Sequence, residues 1–216
     1  MSLTTFRQVK CPCGEIINAE LWSSINVEQN PELKEILLAG ELNVIKCPKC
    51  GIIFYAEQFV LYFDPPNELL VFVYPADFVN KKDYWYNKMM DDFNKIKEDI
   101  LNSDKKLTYL PLIFFGLDEL VNLLKYEDQL LDEISVLENV SSNLNLKLLK
   151  ISLYTARSKH IPYILPYIEV EDVTLRDKII LGIRKLVEVM PDMITYKDML
   201  NRIDEITFDK DEIILL

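Results

Sequence analysis

All four cysteines of the 216-residue chain fall in its first quarter, at positions 11, 13, 47 and 50. They form two close pairs, Cys11-Pro12-Cys13-Gly14 and Cys47-Pro48-Lys49-Cys50-Gly51. Two such pairs suit a tetrahedral soft-metal site, because each clips two corners and zinc takes four thiolates at about 2.3 Å. The flanking residues serve the same end. A metal knuckle turns the chain so that backbone N–H groups face the sulfurs. Pro after the first Cys presets φ, and Gly after the second takes the positive φ that closes the turn. The chain has only five glycines, and two of them stand immediately after these pairs. The second pair has the usual C-x-x-C spacing, while the first is one residue shorter and makes a tighter chelate. The expected site is a structural Zn2+ held by Cys11, Cys13, Cys47 and Cys50. Two disulfides, in any of three connectivities, or a redox switch are the alternatives. A ring closed within Cys11-Pro12-Cys13 would be small and strained, which weighs against disulfides.

Catalytic zinc keeps one position open and usually has histidine among its ligands. Four cysteines make a closed shell, and the sole histidine, His160, lies more than a hundred residues on. It precedes Ile161-Pro162 and reads as a loop or helix-end residue rather than a base. No G-x-S-x-G, Walker A or G-x-G-x-x-G pattern occurs. The acidic doublets Asp91-Asp92, Glu98-Asp99 and Asp118-Glu119 read as solvated helix faces. Tyr84, Trp85, Tyr86 and Phe93 read as core.

The cysteines must be positioned by a small β unit. Ile16–Trp22 is expected to leave the first knuckle as a strand. Asn30-Pro31-Glu32-Leu33 opens a helix, with Asn30 as N-cap and Gly40 as its stop. Asn43–Lys46 and Ile52–Tyr55 flank the second knuckle as strands. Gln58–Phe63 and Leu69–Tyr74 form a hairpin around Asp64-Pro65-Pro66-Asn67-Glu68. Past Asp77 the apolar period becomes helical. Trp85, Met89, Phe93, Ile96 and Ile100 mark one helix, 117–137 a second and 144–154 a third. Thr174 and Asp177 form a capping box before Leu175, Ile179, Ile183, Leu186 and Met190. Thr195, with Asp198, caps a short helix to Ile203. Residues 206–208 and 213–216 are expected to pair as a terminal hairpin. The fold class is α+β: a zinc-ribbon-like β module with one inserted helix over 1–78, then a mainly helical domain over 79–216.

The run Cys11-Pro12-Cys13-Gly14, Ser24-Ile25-Asn26, Pro31-Glu32-Leu33-Lys34, Gly40 and Cys47-Pro48-Lys49-Cys50-Gly51 resembles the CpXC family of bacterial and archaeal proteins. Leu61-Tyr62-Phe63-Asp64 and Leu70-Val71-Phe72-Val73-Tyr74-Pro75 extend the likeness, and Phe115-Gly116-Leu117-Asp118-Glu119-Leu120 resembles the helical segment that follows. The resemblance covers residues 7 to 78 and fades to about 138. It implies the metal site and brings no activity with it. The family pattern leads one to expect histidine where this chain has Phe63.

Half of the residues are hydrophobic, enough for a substantial core, and 35 Asp and Glu stand against 24 Lys and Arg, a formal charge of -11. Residues 1–60 carry five basic side chains (Arg7, Lys10, Lys34, Lys46, Lys49) against seven Glu. Neither part offers the basic stripe of a nucleic-acid binder. No apolar run approaches the ~18 residues of a membrane helix, and Met1–Lys10 lacks the core of a secretory signal. The expectation is a cytoplasmic, non-enzymatic protein that is zinc-stabilised and regulatory or interaction-mediating, with a protein partner or a second copy of itself. The alternatives are a nucleic-acid-binding zinc ribbon and an enzyme with a pocket between ribbon and helices using Tyr62 and Asp64.

Overall fold

The computed structural model describes residues 1–101, 109–206 and 213–215. The chain forms two compact units, Met1–Lys125 and Tyr126–Leu216.

The first unit is built on a five-stranded sheet. Strands β1 (Leu3–Lys10) and β2 (Ile16–Asn26) make an antiparallel hairpin in which Lys10 faces Ile16. The end of β2 runs parallel to β5 (Val60–Asp64), and β5 turns back into β6 (Leu69–Tyr74). β6 lies parallel to β7 (Leu112–Phe115), giving the order β1-β2-β5-β6-β7. The expected 58–74 hairpin is present, closed by a 3-10 turn over Pro65–Asn67 with Glu68 left-handed at φ 49°.

Parallel neighbours need crossovers, and both are informative. The β2-to-β5 crossover holds helix α1 (Glu32–Leu38) and a separate two-stranded ribbon, β3 (Val44–Lys46) with β4 (Ile53–Tyr55). The β6-to-β7 crossover holds helix α2 (Lys82–Leu101). Helix α3 (Leu117–Ser141) follows Gly116, whose φ of 99° permits the turn from strand to helix. All six β6 residues are buried, as an uninterrupted LLVFVY run requires of a strand covered on both faces. On one face Val71 and Val73 meet Val60, Tyr62, Leu33, Leu37, Leu120 and Leu124. On the other, Tyr74 packs on Trp85 at 4.8 Å between ring centroids, and Trp85 stacks on Phe78 at 4.5 Å. Phe93 and Met89 of α2 are fully buried, while Tyr84 and Tyr86 are exposed; the aromatic cluster is only partly core.

One local expectation of this unit needs correction, and one of its strands was not foreseen. Asn30 does not cap α1: its side chain bonds Glu32, and Pro31 occupies the cap position in helical conformation. Leu3–Lys10 forms strand β1, in which the apolar Leu3, Phe6 and Val9 are interspersed with polar residues.

The second unit has a three-stranded antiparallel sheet in the order β10-β8-β9, with β8 (Lys147–Ile151), β9 (Ile164–Tyr167) and β10 (Ile213–Leu215). The helix expected over 144–154 is therefore a strand and the start of helix α4 (Leu153–Lys159). Leu149 and Ile151 point into the core, a period of two hidden by a leucine-rich stretch. Helix α5 (Leu175–Val189) begins at the expected box, where Thr174 Oγ1 accepts from the Asp177 N–H. Helix α6 (Ile194–Asn201) does not use Thr195 as its cap. Instead the buried Glu133 carboxylate of α3 accepts from the Thr195 N–H at 3.0 Å and from its hydroxyl at 3.0 Å. β10 pairs with β8, and residues 207–212 and 216 of the expected terminal hairpin lie outside the described residues. The core joins Leu130, Ile134 and Leu137 to Leu149, Leu165, Ile183 and Tyr196.

Candidate metal centre

Each cysteine pair is the tip of a hairpin. In the first, Cys11 N–H donates to Glu15 O and Gly14 N–H to Cys11 O, both at 2.8 Å, between strands whose last pair is Lys10 with Ile16. In the second, Cys47 N–H donates to Ile52 O at 2.8 Å and Gly51 N–H to Cys47 O at 2.9 Å, beyond the Lys46–Ile53 pair. Gly14 and Gly51 have φ of 92° and 75°, the region that glycine enters without strain. The shorter spacing of the first pair closes as a four-residue turn, the longer spacing of the second as a five-residue one.

The two tips meet. All four Sγ atoms lie within 4.8 Å of one another, with Cys11 and Cys47 buried and Cys13 and Cys50 exposed. Across the tips, Cys11 Sγ lies 3.7 Å from Cys50 Sγ, and Cys13 Sγ lies 3.8 Å from Cys47 Sγ. Four sulfurs at about 2.3 Å from a shared ion are separated by tetrahedron edges of about 3.8 Å. A disulfide needs about 2.05 Å. The residues therefore fit a four-thiolate metal shell. Among the described residues this is the only such group of His, Cys, Asp or Glu donors.

The thiols are not equivalent. Backbone N–H groups of Cys50 and, more weakly, Lys49 stabilise the Cys47 thiolate and bring it down to about 7 against the opposing effect of burial. Burial dominates at Cys11 and pushes it up to about 12, though the Cys13 N–H acts the other way. At Cys50 the Ile52 N–H lowers the value, but burial and the neighbouring thiols Cys13 and Cys47 leave it raised. Lys49 links the tips through Glu15 at 2.8 Å, and that pair, together with the thiolates of Cys13, Cys47 and Cys50, raises its affinity for the proton.

One positioning residue was not visible in the sequence. Asn43, 7% exposed and left-handed at φ 58°, presents its side-chain amide to β2 like a strand neighbour. Its Oδ1 accepts from the Trp22 N–H at 2.7 Å, and its Nδ2 donates to Trp22 O at 3.0 Å. Its own carbonyl accepts from the Ala56 N–H at 2.9 Å. This residue thus joins the β3–β4 ribbon to β2 and sets one tip against the other. The available signal was an Asn just before a short strand, a residue type tolerant of that backbone region.

The remaining candidates lie elsewhere. Tyr62 is fully buried in the core and Asp64 is 2% exposed, its carboxylate held by the Asn67 amide at 2.9 Å across the β5–β6 turn. Both serve packing and turn geometry. Phe63 is half-buried on β5, opposite Asn26 and Leu70. His160 is the exposed C-cap of α4 at φ 51°; its N–H donates to Arg157 O at 3.1 Å and its carbonyl accepts from Arg202 at 2.6 Å. Asp92 bonds Lys88 at 2.7 Å, and that hydrogen bond holds its carboxyl below the usual range. No helix among the described residues is long and apolar enough to cross a membrane.

A family model described as CpXC protein matches residues 9–141, from the end of β1 through the last residue of α3. No curated protein and no solved structure matches the chain.

Proposed function

The chain belongs to the CpXC protein family, and from that premise we propose that its four cysteines hold one structural zinc ion in a cytoplasmic, non-enzymatic protein that works by binding another protein or a second copy of itself. The observation that carries the metal reading is the all-thiol arrangement with edges of 3.7 and 3.8 Å. Such a shell has no open position for water or substrate, so the ion's contribution is mechanical. Structural zinc sites contribute about 10–16 kcal/mol to folding. The β3–β4 ribbon has three residues per strand and is too short to stand alone, so it has use for that energy.

The surface around the tips supports the interaction reading. Phe6, Ile16 and Ile53 are 76%, 64% and 66% exposed on the two hairpins. Arg7, Lys10 and Lys46 are exposed on the same hairpins, as is Glu20 opposite Phe6, and Lys49 pairs with Glu15. Exposed apolar side chains in such a mixed polar setting are what a protein partner or a second copy would cover. Nucleic acid remains a poor fit for a chain so acidic overall.

The test uses native crosslinking and sedimentation of wild type beside Phe6→Glu and Ile53→Glu, each checked for retained metal. Association present in the wild type and lost in the metal-loaded variants is the expected outcome. A wild-type chain that is monomeric at high concentration and crosslinks to nothing in its own host contradicts the interaction reading.

A further inference from the structure

Each exposed thiol of the centre has a buried thiol from the opposite hairpin beside it: Cys13 with Cys47 at 3.8 Å, and Cys50 with Cys11 at 3.7 Å. That is the arrangement of an attacking and a resolving cysteine, present twice. We infer that these are two hydroperoxide-sensitive pairs, whose oxidation to the cross-tip disulfides Cys13–Cys47 and Cys11–Cys50 abolishes metal binding while keeping the hairpin tips joined. The inference rests on the metal reading proposed above.

The chemistry balances without further reactants. The Cys13 thiolate attacks the distal oxygen of a hydroperoxide; an S–O bond forms, the O–O bond breaks, and the alkoxide takes a proton and leaves as an alcohol, or as water from hydrogen peroxide. The Cys47 thiolate then attacks the sulfenic sulfur. An S–S bond forms, the S–O bond breaks, and hydroxide leaves as water after taking a second proton. Two thiolates lose two electrons and the peroxide gains them. Cys50 and Cys11 repeat the sequence. Exposure decides which member of each pair reacts first, since the peroxide reaches Cys13 and Cys50 directly.

The connectivity follows from geometry. Each cross-tip pair has to close from 3.7 or 3.8 Å to about 2.05 Å, a shift within reach of side-chain rotation at an exposed cysteine. A bond between Cys11 and Cys13 would instead close over one proline of restricted φ. Cross-tip disulfides also replace the ion's mechanical role, because they tie β1–β2 to β3–β4 at the same place. The oxidised chain is then a folded, metal-free and reducible form, distinct from the reduced metal-free chain.

The experiment uses the full chain purified without oxygen, with zinc per chain measured first; absence of zinc defeats the metal reading alone, and the disulfide map still decides this inference. Hydrogen peroxide is added stepwise, metal release is followed with a chromogenic chelator, and the product is digested with trypsin without reduction. Cleavage after Lys46 and Lys49 places Cys47 and Cys50 on separate peptides, while Cys11 and Cys13 share one and are distinguished by fragmentation. The expected result is loss of all four free thiols with about two peroxides consumed per chain, complete metal release, Cys13 linked to Cys47 and Cys11 to Cys50. The oxidised product keeps its melting transition, which reduced, chelated protein loses for the first unit. Links within a tip, the crossed pairing Cys11–Cys47 with Cys13–Cys50, sulfinic acid in place of disulfide, or thiols unreactive toward peroxide would each overturn it.

Discussion

Asn43 is where a single substitution reports on how the two tips are held together. Replacing it with Ala removes the acceptor for the part-buried Trp22 N–H and one donor to Trp22 O. A buried donor left without a partner costs about 1–3 kcal/mol. Trp22 O keeps a second donor, the Gln58 amide, so its loss is smaller. Alanine must also adopt φ 58°, which costs a further 1–2 kcal/mol or so for a residue with a Cβ. The sum is about 2–5 kcal/mol. Two variants separate these contributions. Asn43→Gly loses both bonds and keeps the backbone conformation. Asn43→Ala loses both bonds and must also adopt that conformation with a Cβ, so destabilisation is larger for Ala than for Gly. The loosened tip must be ordered again when the ion binds, and zinc affinity should fall about 30-fold for Gly, since each 1.4 kcal/mol is a factor of ten. Zinc affinity by competition with a chromogenic chelator, beside thermal unfolding with the ion present, reads both effects. Equal affinity for wild type and Asn43→Gly would refute the idea that Asn43 presets the centre. Equal stability of Gly and Ala would refute the strain argument.

Gly182 of α5 sits against the backbone of β9: an added Cβ would meet the Pro166 carbonyl oxygen, Pro166 C at 2.6 Å and Tyr167 Cα at 2.7 Å. Gly182→Ala should therefore destabilise the second unit by about 2 kcal/mol despite a better helix propensity, lowering its melting temperature by roughly 10 °C in calorimetry. Glu133→Ala leaves the buried Thr195 N–H and hydroxyl without their acceptor and should cost about 2–4 kcal/mol, while Glu133→Gln costs less; denaturant titration distinguishes them. Metal binding should release protons. Cys11, near 12, and Cys50, also raised, are protonated at neutral pH, whereas Cys47, near 7, is already partly thiolate. Protonated thiols do not bind metal, so affinity falls as pH falls: at least about 100-fold per unit above pH 7, steepening below it as Cys47 also takes up its proton. Chelator competition across pH 6–9 measures the slope, and a flat profile contradicts the thiolate assignment.

The metal centre was legible because its signals are local. Cysteine spacing, the proline inside each pair and the glycine after it sit within a few residues, and each glycine has the positive φ its position suggested. The β5–β6 hairpin was legible for the same reason, through its apolar runs and intervening prolines. What escaped depends on partners distant in sequence. The amphipathic alternation of β1 is weak, and the strand exists because it pairs along its whole length with β2. β8 is a stretch of Leu and Lys that fits a helical period as well as a strand; pairing with β9 and β10 decides it. The start of α6 was misread because Thr195 has a suitable side chain, but Glu133, 62 residues earlier, supplies the acceptor. Asn43 and Trp22 meet only once the inserted ribbon has folded back onto β2.

Four thiolates sharing one zinc ion would leave a distinct signature in the metal's nearest neighbours. Zinc-edge X-ray absorption on anaerobically purified protein, normalised to chain concentration, tests it most directly. The expected result is one zinc per chain with four sulfur neighbours at about 2.3 Å and no nitrogen or oxygen in the shell. Iron in place of zinc, a shell containing lighter atoms, or no bound metal at all with the thiols intact would contradict it.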